Sequence, residues 1–151
     1  MHLLIETDEQ MQALGKRLAS VCQGGGVIYL EGDLGTGKTT LVRGLLRALG
    51  HEGAVKSPTF TIVEPYTIQG KNIYHFDLYR LSDPEELEYM GGRDYFAREN
   101  LCLVEWPDKG GEMLPPVDLL LRLSHAGTAR EVDISAATEN GRKWLMTLEN
   151  F

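Results

Sequence analysis

Residues Gly32-Asp33-Leu34-Gly35-Thr36-Gly37-Lys38-Thr39 fit the phosphate-binding pattern G-x-x-x-x-G-K-[ST]. Glycines let successive backbone N–H groups turn inward around phosphate oxygens. Lys38 can reach the outer phosphates and the Thr39 hydroxyl can hold Mg²⁺, with Thr40 completing the loop's polar edge. A charge count explains why a metal belongs there. A nucleoside triphosphate carries about −4, against about +2 from Mg²⁺, +1 from the lysine and roughly +0.5 from a helix N-terminus.

Two carboxylates are candidates to act on a bound phosphate. Glu105 ends the continuous apolar run Leu101-Cys102-Leu103-Val104, which reads as a strand buried on both faces. An acid at the tip of such a strand, beside the strand that feeds the loop, can hold the Mg²⁺ shell or orient a water. Asp77 lies in His75-Phe76-Asp77-Leu78-Tyr79-Arg80. If Phe76 and Leu78 face the core, period-two alternation puts Asp77 on the other side with His75 and Tyr79. It then reads either as a base or metal-water ligand, or as a plain turn-capping aspartate, and periodicity does not separate the two. His75 reads as a structural strand residue.

Ser57-Pro58-Thr59 and the nearby Thr61 lie where switch proteins place a threonine that senses the third phosphate, although the tripeptide alone reads as the start of a turn. Trp106 is either core filler or site rim; Pro107 after it argues that the chain is leaving the sheet. Asp108-Lys109-Gly110-Gly111 has the D-x-x-G form found in guanine-nucleotide switches, but no N-K-x-D segment occurs in the chain, so ATP is the expected nucleotide.

The apolar Val27-Ile28-Tyr29-Leu30 is a strand entering the loop. Leu41, Val42, Leu45, Leu46 and Leu49 then predict a helix from about Lys38 to Leu49, closed by Gly50. Thr7-Asp8-Glu9-Gln10 has capping-box form ahead of Met11, Leu14, Leu18 and Val21, a first amphipathic helix. Phe60 to Tyr66 and Ile73 to Tyr79, around a turn near Gln69 to Asn72, predict a hairpin whose Pro65 belongs to an edge or bulge. Asp83-Pro84-Glu85-Glu86 opens a short helix stopped by Gly91-Gly92. Val117 to Leu123 and Arg130 to Ile134 predict a second hairpin, and a last helix starts near Thr138 with Trp144, Leu145 and Leu148 inward.

With 151 residues, 42% hydrophobic and 25% charged, the chain suits one α/β domain, residues 1–151. The expected fold is P-loop NTPase-like, with a mixed, mostly parallel central sheet, flanking helices and antiparallel hairpin extensions. A net charge of −7 and a pI near 5.1 give no general attraction to nucleic acid. Cys22 and Cys102 have neither zinc nor disulfide spacing, and no leader or membrane-length apolar run is present, so a cytoplasmic protein without membrane contact is expected.

The loop, Ser57 to Tyr66, His75 to Arg80 and Val104-Glu105-Trp106-Pro107 together resemble the TsaE (YjeE) family in wording, order and spacing. The resemblance runs from about Leu3 to Glu105 and thins after Pro115. It implies an ATPase needed to make N6-threonylcarbamoyladenosine (t6A) at position 37 of tRNAs reading ANN codons. Its partners would be a TsaD–TsaB pair, with tRNA reached only through that complex. On this resemblance Lys38 and the loop amides hold phosphates, Thr39 and Glu105 coordinate Mg²⁺, Asp77 supports hydrolysis, Ser57 to Thr61 form a switch and Trp106 the site rim. Thr7 with Asp8, and Arg130, are the adenine-side candidates. Two rivals remain from the residues alone: a small-molecule kinase with Asp77 as base, and a nucleotide-dependent binding module without essential hydrolysis. No arginine is placed by sequence as an internal finger, so slow turnover by the lone chain is expected.

Overall fold

The structure, a computed structural model, describes residues 1–150. Seven strands form one sheet: β1 (His2–Ile5), β2 (Gly26–Glu31), β3 (Val63–Ile68), β4 (Lys71–Asp77), β5 (Leu101–Glu105), β6 (Leu119–Ala126) and β7 (Ala129–Ala136). Their spatial order is β1-β7-β6-β2-β5-β4-β3. β2 pairs parallel with β5 and β6, and β4 pairs parallel with β5, while β1–β7, β6–β7 and β3–β4 are antiparallel. The sheet is therefore mixed but evenly divided rather than mostly parallel, because both hairpins and the N-terminal strand add antiparallel pairings outside the parallel centre.

The helices are α1 (Asp8–Val21), α2 (Lys38–Leu49), α3 (Glu85–Tyr89), α4 (Gly92–Tyr95) and α5 (Glu139–Glu149), with a 3₁₀ segment at Pro107–Met113. Alternation along the parallel strands sorts their side chains onto two faces. Ile28, Leu30, Leu101 and Leu103 join a core with Leu14 and Leu18 of α1, Leu41 and Leu45 of α2, and Trp144 and Leu148 of α5. Phe76, Cys102 and Val104 point the other way, into a smaller cluster with Leu78 and Leu87. Each fully buried Leu or Phe contributes about 1.5–3 kcal/mol.

α1 and α2 approach closely because two glycines meet: a Cβ on Gly15 would lie 2.3 Å from the Leu41 carbonyl oxygen, and one on Gly44 would lie 2.4 Å from that of Gln12. Thr7 caps α1, its Oγ1 accepting from Gln10 N at 3.1 Å, and Thr138 caps α5 in the same way from Gly141 N at 2.9 Å.

Two local expectations change. The first hairpin begins at Val63, not Phe60. Ile62 takes a left-handed φ of 70°, its N–H bonds the Pro58 carbonyl at 2.7 Å, and its carbonyl accepts from Asp77 N at 2.8 Å, so residues 58–62 are a turn and Phe60 is 82% exposed. Gly91 does end α3, with φ 84°, but Gly92 opens the further turn α4. Pro65 lies on β3, an edge strand as its missing N–H requires.

Candidate nucleotide site

The carboxyl ends of β2, β4 and β5 converge on one edge of the sheet, where an open α/β sheet places its ligands. The loop leaves β2 there. Gly35 and Gly37 take left-handed φ values of 78° and 102°, and α2 starts immediately at Lys38. Side-chain-bearing residues adopt those angles only at a cost, so the glycines are what let the loop coil over the helix N-terminus. Thr36 is buried and its hydroxyl donates to the Asp33 carbonyl at 2.8 Å, closing the turn from inside.

Lys38 is 5% exposed. Its ammonium donates to the Gly32 carbonyl and lies 4.1 Å from the centroid of Trp106. Burial pushes its pKa below the ordinary lysine value, opposed by the negative charges of Glu105, Asp77, Asp33 and Asp108. Trp106 reaches Lys38 from a strained left-handed backbone, φ 56° and ψ 52°, and its ring packs 5.0 Å from that of Tyr79. Trp106 lines the cleft and also packs against the smaller core cluster, so its ring takes part in both arrangements that its sequence position allows.

Asp77 and Glu105 are direct register partners across β4 and β5, both nearly buried at 5% and 3% exposed. Asp77 Oδ1 accepts from Tyr79 N at 3.1 Å and its Oδ2 accepts from Thr59 Oγ1 at 3.2 Å. Thr59 is in turn 2.8 Å from Ser57 Oγ. The 57–62 turn is thus tied to Asp77 by side chain and backbone together. Glu105 Oε2 takes a 2.6 Å hydrogen bond from His75 Nε2.

These groups open onto one cleft of about 300 Å³. Lining it are Thr7 and Asp8 from the start of α1, Leu34 to Thr40 from the loop, Ser57, Thr59, Asp77, Glu105, Trp106, Thr128 and Arg130. Arg130 Nε and Nη2 donate to the Gly35 carbonyl at 3.2 and 3.0 Å, so this guanidinium grips the loop itself. Three expected residues fall outside. Gly32 and Asp33 line a separate shallow groove with His125, and exposed Thr61 bonds Glu64 at 2.9 Å.

Ile5, Glu6, Met11 and Thr128 also line the cleft, although the sequence marks none of them as a site residue. For Met11 no signal distinguishes it from the other inward residues of α1. His75 stands two residues before Asp77 and shares its strand face, as alternation along β4 requires.

The chain matches the family model "Threonylcarbamoyl adenosine biosynthesis protein TsaE" over residues 5–132, so the likeness continues past Pro115 into the second hairpin. It is 53% identical over 124 residues to the tRNA threonylcarbamoyladenosine biosynthesis protein TsaE of Haemophilus influenzae, covering 82% of this chain and 78% of that one. The Bacillus subtilis protein of the same name is 39% identical over 142 residues, 93% of this chain and 87% of that one. Among solved structures, Bacillus subtilis YdiB superposes with a TM-score of 0.85 at 31% identity, covering 99% of this chain and 94% of that chain. A match to the family model over most of the chain, with relatives this similar across their length, means that the chain belongs to the TsaE family.

Proposed function

We propose that this protein has a P-loop NTPase-like fold and is an ATP-binding, Mg²⁺-dependent ATPase subunit of tRNA t6A formation that works on a TsaD–TsaB pair. The observation that carries the reading is the convergence of Lys38, Glu105 and Asp77 on one cleft beneath a glycine loop capping α2. The family and its relatives' names supply the tRNA modification. Net charge −7 supports a subunit that leaves tRNA binding to its partners.

In this reading the loop amides and Lys38 take the phosphates, and the helix N-terminus adds its positive end. Mg²⁺ bound by one or two carboxylates plus substrate phosphates would add charge compensation, and the oxygen donors of Thr39 and Glu105 are of the hard kind it prefers. Asp77, held from two sides by Thr59 and the Tyr79 amide, orients an attacking water. Ser57 and Thr59 couple that carboxylate to the 57–62 turn, which makes this turn the segment that reports nucleotide state. Thr7 and Arg130 border the same cleft, and this reading takes them as the nucleoside side. Arg130 is committed to the Gly35 carbonyl, which removes it as an internal arginine finger, a group worth ~10³–10⁵ in rate, and fits slow turnover by the lone chain.

The test is steady-state turnover of labelled ATP by the purified chain, alone and with TsaD and TsaB. Slow phosphate release that rises with the pair is expected. Label transferred to a small acceptor would replace the ATPase with a kinase, and turnover indifferent to the pair would remove the partner from the reading.

A further inference from the structure

The fully buried imidazole of His75 has no place in the chemistry above. Its Nε2 lies 2.6 Å from Glu105 Oε2, with both side chains at most 4% exposed. A carboxylate only accepts, so Nε2 carries the hydrogen and donates it. The other ring nitrogen, Nδ1, is buried and has no hydrogen-bond partner among the described residues. The ring is therefore anchored to one polar group, the Glu105 carboxylate, and otherwise held by packing.

The consequence falls on Glu105. Both oxygens of Asp77 already accept hydrogen bonds, from Tyr79 and Thr59. Glu105 commits only Oε2, and Oε1 accepts no hydrogen bond from the described residues although the side chain lines the cleft. His75 pairs in register with Leu103 and so reaches Glu105 diagonally from the adjacent strand. That contact fixes the carboxylate's torsion and leaves one oxygen for the cleft. We infer that His75 is a positioning residue that holds Glu105 with Oε1 presented to the Mg²⁺–nucleotide complex. The inference rests on the ATPase reading of the site. Residues that orient a metal-ligating carboxylate from behind act in this way, through affinity rather than contact.

The experiment compares His75→Gln, whose amide nitrogen sits near the position of Nε2, with His75→Asn, whose shorter side chain stops short of Glu105. Whole chains are titrated with Mg²⁺ in the presence of a fluorescent non-hydrolysable ATP analogue, and the analogue is also bound without metal. His75→Asn should weaken Mg²⁺ binding by about tenfold or more, and His75→Gln should stay within about threefold of wild type. Metal-free affinity should be the same in all three. A purely structural histidine would lower thermal stability in both variants without separating their Mg²⁺ titrations, and equal Mg²⁺ affinities in folded Asn and Gln variants overturn the inference. Failure of the wild-type chain to bind the analogue would instead overturn the nucleotide reading, and this inference with it.

Discussion

Replacing Lys38 by Met keeps most of the unbranched apolar stem and removes the charged ammonium. The ammonium has three hydrogens, and one is engaged by the Gly32 carbonyl, which leaves two for phosphate oxygens. At about 1.5 kcal/mol for each charge-assisted bond, the loss is about 3 kcal/mol, or roughly 150-fold in affinity. Binding linkage turns this into a thermal shift. With ATP and Mg²⁺ at 100 times the wild-type Kd, the wild type gains ~2.7 kcal/mol, whereas the variant gains ~0.3 kcal/mol. For a domain of this size that corresponds to a rise of roughly 5–10 °C in Tm against 1 °C or less. The ligand-free variant should be no less stable than wild type, because burial already disfavours the charged lysine. Differential scanning fluorimetry with and without ATP reads both quantities. An ATP-induced shift in Lys38→Met equal to that of wild type would refute the placement of phosphates at this lysine.

Lys38 also predicts a pH effect. Its folded pKa lies below its unfolded one, so between the two the unfolded chain holds the extra proton and stability rises with pH, an increment absent from Lys38→Met in equilibrium urea unfolding. The buried thiols act oppositely: Cys22 and Cys102 are pushed by burial from 9.0 up to about 12, so above pH 9 the unfolded state releases their protons first and stability falls. A cysteine-free double variant should show a flatter alkaline limb. Gly44→Val forces a branched side chain against the α1 backbone and should cost at least about 2 kcal/mol by chemical denaturation; an unchanged midpoint would mean that the two helices can part freely. Asp118 accepts from Val27 N at 2.8 Å and from Thr138 Oγ1 at 2.5 Å, so Asp118→Ala strands a buried N–H and loosens the α5 cap, lowering stability by about 1–3 kcal/mol in the same assay.

What the sequence determined by itself was local. Glycines at 35 and 37, the lysine after them and the apolar runs on both sides specify strand, loop and helix through short-range sterics and hydrophobic period, and α2 lies between the bounds read from those signals. Thr7, Thr138 and Gly50 likewise mark helix ends because their contacts span only a few residues. The start of the turn at Ser57-Pro58 was legible, but its continuation through Phe60 to Ile62 was not, since β-branched and aromatic residues there favour a strand. Only the bonds from Ile62 to Pro58 and Asp77 override that preference. The apolar run before Glu105 already placed β5 beside β2, but the parallel docking of β4 on β5 was beyond local reading, because it joins strands that sequence reads as separate elements. That docking sets Asp77 beside Glu105 and brings His75 behind Glu105, while the placement of β7 beside β6 lets Arg130 grip the loop. A residue's type limits the chemistry it can do, but its neighbours across the sheet decide which of its atoms remain free to do it.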